Sequence, residues 1–439
     1  MIALFSLALC VLSASLGVSI AAVALPAFAA DFAVPMAGAQ WVVLAYLLAT
    51  TVASVLAGRL GDVLGRREVL LAGIALFAVA SLAAALAPGF GALIAARAAQ
   101  GVGAAVLMAL PLSFVPDIVA PERTGRAMGL LGSVSAFGTA LGPSAGGLVL
   151  AEFGWRAVFL VLVPLGVLAF ALALRLPRET ASRSGGLDLP GTLALGLTLA
   201  AYALATTLGA PWLLLPAALG LVAFLWIETH AAAPLLPPAL LREPGLAAAL
   251  AMSTLVATVM MSTLVVGPFY LTTGLGLGAA TMGLVMAVGP ATAALSGIPA
   301  GRVTDRLGPA LTLRLGLLVS LGGTIALASL PPLLGTPGYI LALMMLTPGF
   351  QLFFAANSTA VMAEVDPARK GLVSGLLNLS RNLGFITGAA VLGAVFAAAS
   401  GPTPEAMATG LGATFGTAAA LLLLALVLGA ASRTRQRTV

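Results

Sequence analysis

Charge is scarce in this chain. Only 8% of its 439 residues are Asp, Glu, Lys or Arg, while 61% are hydrophobic. A soluble domain carries about 25% charged residues. No water-facing fold could hide this much apolar side chain, so the solvent for most of the chain is lipid. Cysteine and histidine are rarer still, with one of each, Cys10 and His230. An intrachain disulfide is impossible, and a His/Cys metal centre lacks the ligands it needs. Lys370 is the only lysine, and no Gly-x-x-x-x-Gly-Lys-Ser/Thr loop exists, so nothing suggests ATP use. No cofactor is expected. An intramembrane enzyme would need clustered His, acid or Ser–Lys groups within apolar stretches, and the chain lacks them. The net charge of +6 does not form one basic face, which argues against nucleic acid as a partner.

What is present is a series of long apolar runs. Backbone groups in lipid must be satisfied internally, so unbroken runs of this length read as helices rather than barrel strands. Fourteen can be counted, from about residues 4–26 to about residues 407–431. The first follows Met1-Ile2 with no basic segment and no convincing cleavage site, so it reads as a retained span. Between the second and third runs lies Gly58-Arg59-Leu60-Gly61-Asp62-Val63-Leu64-Gly65-Arg66-Arg67. Positive charge on a short loop holds it in the cytoplasm. With this loop inside, 17 of the 20 Lys and Arg fall in cytoplasmic loops and the C-terminal tail; Arg156 falls outside, and Arg97 and Arg381 fall within spans. An even number of crossings follows, with both termini cytoplasmic in a bacterial-type inner membrane.

The loop pattern returns as Gly301-Arg302-Val303-Thr304-Asp305-Arg306-Leu307-Gly308. A repeat at corresponding helix hairpins signals duplication, as in transporters built from two related halves. The doubled loop resembles the signature loop of the major facilitator superfamily. The second copy follows span 10 rather than span 8, so two extra helices separate the halves. The expected fold is therefore all-α and integral to the membrane: two six-helix bundles plus an inserted hairpin. Residues 1–177 form the first bundle, 178–230 the hairpin, 231–431 the second bundle and 432–439 a basic tail. This layout resembles the fourteen-span drug:proton antiporter branch. Local matches are Gln40-Trp41-Val42-Val43-Leu44-Ala45-Tyr46, Trp155-Arg156 with Phe159 and Pro164, Gly186-Leu187-Asp188, and Pro234-Leu235-Leu236 with Leu241-Arg242. The resemblance implies efflux by alternating access, with a small-molecule substrate held between the halves, protons as coupling ion and the chain acting as a monomer. The alternatives are export of an anionic metabolite or siderophore-like compound, and a proton-independent uniporter or importer.

Glycine recurs at four-residue spacing in Gly138, Gly142 and Gly146, with Pro143 and Gly147 beside them. Such a stripe admits a neighbouring helix closely, and the proline bends its own helix. Plain packing would use the same pattern. The stretch resembles the superfamily's exporter motif, which implies a bendable joint on Gly142 and Pro143 against a helix of the other half. Arg97 and Gln100 are three apart and share a helix face. A guanidinium in hydrocarbon needs water or a partner. Either Arg97 braces the bundle on backbone carbonyls, or, as the resemblance of Arg97-x-x-Gln100-Gly101 implies, it takes part in proton coupling. Asn378, Arg381 and Asn382 lie on or near one face of span 13, where a role facing a cavity is one reading.

Fourteen-span drug antiporters usually carry an acid and an asparagine in a stretch ending Ala-Leu-Pro. In the matching stretch Leu16–Pro26 the places are held by Gly17 and Ala22. No carboxylate lies mid-span; Asp31, Glu152, Asp188 and Glu228 lie near membrane edges. Asp31, at the outer mouth, is the remaining titratable candidate. Buried arginines without a buried acid point toward an anionic or zwitterionic substrate. Asp62, Arg66 and Asp305 of the signature loops read as conformational switches. Further cavity candidates are Ser19, Trp41, Tyr46, Thr258, Tyr270 and Asn357. Met252, Met260, Met261, Met282 and Met286 could form an adaptable apolar wall. Trp155 reads as an interfacial anchor.

Overall fold

A computed structural model describes residues 2–120, 124–176, 189–207, 210–231, 243–365 and 370–436. Arg123, Arg178, Arg183, Asp188, Arg242 and Arg369 lie outside the described residues, as does the side chain of Asp62. Among the described residues every regular element is helical, as apolar runs in lipid require. Among the described residues eleven helices are long and apolar enough to cross a membrane, and two shorter apolar ones span Pro190–Ala205 and Leu214–His230. The chain divides into two compact units, residues 1–235 with 279–284, and residues 236–278 with 285–439.

The first unit opens with α1 (Ile2–Val23), the short α2 (Leu25–Asp31) and α3 (Met36–Ala39), then α4 (Trp41–Leu64), α5 (Arg66–Ala85) and α6 (Phe90–Ile118). Next come α7 (Thr124–Leu160), interrupted at Gly154 with φ 75°, and α8 (Leu162–Ala173). The hairpin helices α9 (Leu189–Thr207) and α10 (Leu214–His230) follow, and α9 packs on α4. His230, expected in a loop, is the last residue of α10, because the apolar helix runs on to its end.

The second unit contains α11 (Pro244–Phe269), which continues into a π turn over Tyr270–Gly274. It also holds α12 (Ala279–Leu307) beyond its first residues, α13 (Pro309–Leu334) and α14 (Thr336–Glu364). It ends with α15 (Lys370–Thr387), a second π turn over Gly388–Leu392, α16 (Gly393–Ala399) and α17 (Pro404–Gln436).

The internal repeat is written into the joints. One residue, Gly65 at φ 97°, separates α4 from α5, and one residue, Gly308 at φ 78°, separates α12 from α13. Both are left-handed positions that a side chain would strain, which is why each signature loop carries glycine there. The helix crossings repeat too. A Cβ on Gly103 would lie 2.7 Å from the Phe77 nitrogen and 2.8 Å from the Gly73 oxygen. A Cβ on Gly349 would lie 2.5 Å from the Ser320 nitrogen and 2.9 Å from the Gly316 oxygen. Gly138 and Gly142 of α7 press on α1 as Gly384 and Gly388, in α15 and the π turn after it, press on α11. Small residues at each crossing let backbones approach, and close packing is the main source of helix association in lipid.

Candidate functional site

Arg97 stands in the second turn of α6. The helix can approach α4 because Gly101 meets the Tyr46 carbonyl and lies where a Cβ would be 2.9 Å from that of Ala49. Thr50 of α4 closes the seam by donating to the Gly101 oxygen at 3.0 Å. This approach carries Arg97 into a fully buried position. Its Nε donates to the Val42 carbonyl at 2.8 Å and its Nη1 to the Gly17 carbonyl at 3.1 Å. Nη1 also donates to Gln100 Oε1, and Gln100 Nε2 donates to Ser81 Oγ at 2.6 Å. Nη2 has no hydrogen-bond partner among the described residues. The ring centroids of Tyr46 and Phe159 stand 4.3 and 5.7 Å from the guanidinium carbon, close enough for cation–π attraction. These contacts tie α1, α4, α5 and α6 together. They have the form of a brace on backbone carbonyls.

Gly17 explains the missing acid in steric terms. A Cβ there would lie 3.2 Å from the Tyr46 hydroxyl and 3.3 Å from the Phe77 ring. The space a carboxylate side chain would need is filled by those two rings, and the Gly17 carbonyl serves the arginine instead. Tyr46 is buried, with its hydroxyl donating to the Ala14 carbonyl at 2.8 Å. Ser19 is also buried, and its hydroxyl turns to the carbonyls of Ser15, Leu16 and Gly138 at 3.2–3.4 Å. The Tyr46 hydroxyl thus bonds across to α1, and the Ser19 hydroxyl bonds within α1 and across to α7. Trp41 is half-buried at the start of α4.

The glycine stripe meets two neighbours. Gly142 faces α1, not a helix of the other half: it meets Ser19 Oγ, and a Cβ on it would lie 2.8 Å from the Ile20 nitrogen. Gly147 reaches the start of α12, where its Cβ would lie 2.7 Å from both the Ala279 oxygen and the Gly283 Cα. The carbonyl of Pro143 meets Gly283 there as well. The Ala279–Leu284 segment belongs to the first compact unit, so this contact is internal to it. One helix face can serve two neighbours, which its four-residue spacing could not reveal.

Asp31 is not a free acid. Its Oδ2 accepts from Trp155 Nε1 at 2.8 Å and lies 3.7 Å from Arg156 Nη1. The Arg156 guanidinium also stands 4.3 Å from the Trp155 ring centroid. Trp155 is therefore buried, not an interfacial anchor. It packs edge-on against Phe28, with centroids 5.4 Å apart, and against Phe159 at 6.3 Å. The latch joins the end of α2 to α7, and sequence reasoning missed it. The one available signal was that Asp31 and Arg156 are opposite charges at the same edge.

In the signature loop, Arg66 Nη1 donates to the Ser113 carbonyl of α6 at 3.0 Å, and Arg67 Nη2 donates to the Leu174 carbonyl at 2.5 Å. Asp305 is exposed near the end of α12. In the second unit, Asn357 is buried and donates to the Ala249 carbonyl of α11 at 3.2 Å. Tyr270 stacks on Tyr339 with centroids 6.2 Å apart. Thr258 turns to the Thr254 carbonyl at 2.8 Å. Met252, Met261, Met282 and Met286 are buried and Met260 is half-buried. Arg381 and Asn378 are exposed on α15, with Arg381 Nη2 donating to Asn378 Oδ1 at 2.8 Å.

A family model described as the Major Facilitator Superfamily matches residues 7–389. The multidrug resistance protein Stp of Mycobacterium tuberculosis is 31% identical over 388 residues, covering 86% of this chain and 72% of its own length. The cephamycin export protein CmcT of Amycolatopsis lactamdurans is 34% identical over 437 residues, covering 93% of this chain and 88% of its own. Among solved structures, the peptide transporter POT in complex with alafosfalin matches with a TM-score of 0.75 at 16% identity, covering 98% of this chain and 94% of that one. At that identity the likeness is one of fold.

Proposed function

The chain belongs to the major facilitator superfamily, and on that premise we propose that this multi-pass membrane transporter exports drugs or small organic compounds by alternating access, in exchange for protons. The observation that carries the reading is the doubled set of glycine joints. Two halves with equivalent crossings and equivalent one-residue hinges are what a rocking mechanism needs. Likeness to proteins named for multidrug resistance and cephamycin export supports the outward direction. We assign the chain to the fourteen-span drug:proton antiporter branch. Counting the continuous stretch of α7 and α8 as two crossings parted at Gly154, and the hairpin α9–α10 as two more, brings the total to fourteen. The domain limits are then 1–177, 178–230 and 231–431, with a basic tail over 432–439. Both termini lie in the cytoplasm beside a bacterial-type inner membrane, and the chain works as a monomer.

In this reading Arg97 and Gln100 take part in coupling by giving up or regaining carbonyl partners as α1 moves. Asp62, Arg66, Asp305, Gly142 and Pro143 govern the change of state. Arg381, Asn378, Asn357, Trp41, Tyr46, Ser19, Tyr270 and Asp31 are the candidates for substrate or proton contact. Everted vesicles with an imposed inside-acid gradient test it. Ethidium should accumulate, and the accumulation should vanish when an ionophore collapses the gradient. Flux that follows the ethidium gradient alone would favour a uniporter or importer. A second reading, export of an anionic metabolite or siderophore-like compound, is favoured by the exposed Arg381 and by the lack of a mid-span carboxylate.

A further inference from the structure

Two arginines sit within apolar helices, and they are built for different tasks. Arg97 has no room for a ligand: it is sealed, and carbonyls, an amide and two ring faces surround it. Arg381 is exposed, a turn and a half into the apolar stretch Leu376–Ala399, or about 8 Å of helix rise. Among the described residues its only hydrogen bond is the one to Asn378, and no acid pairs with it. The amide NH2 of Asn378 makes no bond among them either.

The face that carries this pair is not a lipid face. Helices α13 and α17 expose Leu318, Val319 and Ile325, and Leu423, Leu424 and Val427. No large apolar side chain from α15, the π turn after it or α16 is exposed among the described residues. The adjoining face of α15 is apolar and packs on α11 through Val373, Leu376 and Gly384, the last one helical turn after Arg381. A charged group on an exposed polar face within a span marks a water-filled path.

The repeat sets this arginine apart from its counterpart in the first half. Gly138 and Gly384 are equivalent, and three residues before them stand Ser135 and Arg381. In the first half Ser135 bonds to Ser15 of α1 at 2.8 Å, closing the crossing. In the second half the residue equivalent to Ser15 is Ala257, whose Cβ lies against Gly384 and has nothing to offer a hydrogen bond. The position carries a guanidinium in place of that crossing bond.

We propose that Arg381, oriented by Asn378, recognises the carboxylate of an organic anion that the protein carries, an inference that rests on the transport function above. The planar fork presents two parallel donors to a carboxylate, and the Asn378 bond fixes its plane. The test uses the purified full-length protein in detergent and fluorescein as the probe, read by fluorescence polarisation. Arg381→Gln should weaken binding at least tenfold, and Asn378→Ala severalfold. Arg381→Lys should fall between wild type and Arg381→Gln, since it keeps the charge and loses the fork. Arg314→Gln removes an equal charge from an exposed site on α13 and should change nothing. Wild-type protein that does not bind fluorescein would overturn the proposal, as would Arg381→Gln within twofold of wild type or an equal loss in Arg314→Gln. A signal removed by phosphatidylglycerol but not by phosphatidylcholine would hand Arg381 to a lipid headgroup and also overturn it. Ethidium transport without fluorescein binding leaves the exporter reading intact and sinks this one. Fluorescein binding through Arg381, with no gradient-driven flux of either dye in vesicles, does the reverse.

Discussion

Replacing Gly142 by alanine adds one methyl group at the α1–α7 crossing. The new Cβ would meet Ser19 Oγ and lie 2.5 Å from Ser19 Cβ and 2.8 Å from the Ile20 nitrogen. Rotating Ser19 relieves the first contact only. The other two atoms are fixed to the backbone of α1, so the helices must part. Overpacking costs about 1–3 kcal/mol, and a clash with main chain belongs at the upper end, about 2–3 kcal/mol. Gly322 of α13 is the control, because a Cβ there meets nothing within 4 Å. Alanine at that position should be neutral or stabilise by about 0.5–1 kcal/mol through helix propensity. The protein supplies its own reporter. Cys10 is the only cysteine and is fully buried, so a thiol-reactive fluorogenic dye lights up on unfolding. Gly142→Ala should react at a lower temperature than wild type, and Gly388→Ala, its equivalent at the crossing with α11, should do the same. A Gly142→Ala protein that melts with or above wild type would show that the crossing is looser than its geometry, and the steric argument would fail.

Arg97→Met removes the charge-assisted bonds to the Val42 and Gly17 carbonyls, which keep their intrahelical donors; at about 1.5–3 kcal/mol for a bond to a charged group it should lower the same dye-onset temperature more than Arg381→Gln does. Trp155→Phe keeps one six-membered ring but removes the N–H to Asp31 and part of the buried indole, so a loss of at least about 1 kcal/mol is expected, measured by the shift in dye onset; no shift would mean that the latch adds nothing to stability. Asp62→Asn should leave surface expression near wild type and reduce ethidium flux in vesicles, and unchanged flux at normal expression would remove Asp62 from the switch.

The sequence by itself determined the medium and the duplication. Sparse charge, long apolar runs and two copies of a Gly/Arg loop led to a helical membrane protein of two related halves, and Gly65 and Gly308 take the left-handed turns that those loops imply. The α15 face was legible for a similar reason: Asn378 and Arg381 are one helical turn apart, and periodicity along a helix is a local property. What tertiary structure alone decided was the partner of each polar group. Arg97 rests on the carbonyls of Val42 and Gly17, and a carbonyl acceptor is present at every residue, so it leaves no mark in the sequence. The Trp155–Asp31 bond and the Ser15–Ser135 bond each join side chains far apart along the chain. Gly142 reads alike whether its neighbour is α1 or a helix of the other half, because a glycine states only that something comes close. The difference between a sealed arginine and an accessible one depends on which helices surround it, and that is fixed when the bundle closes, not by the order of residues in any one span.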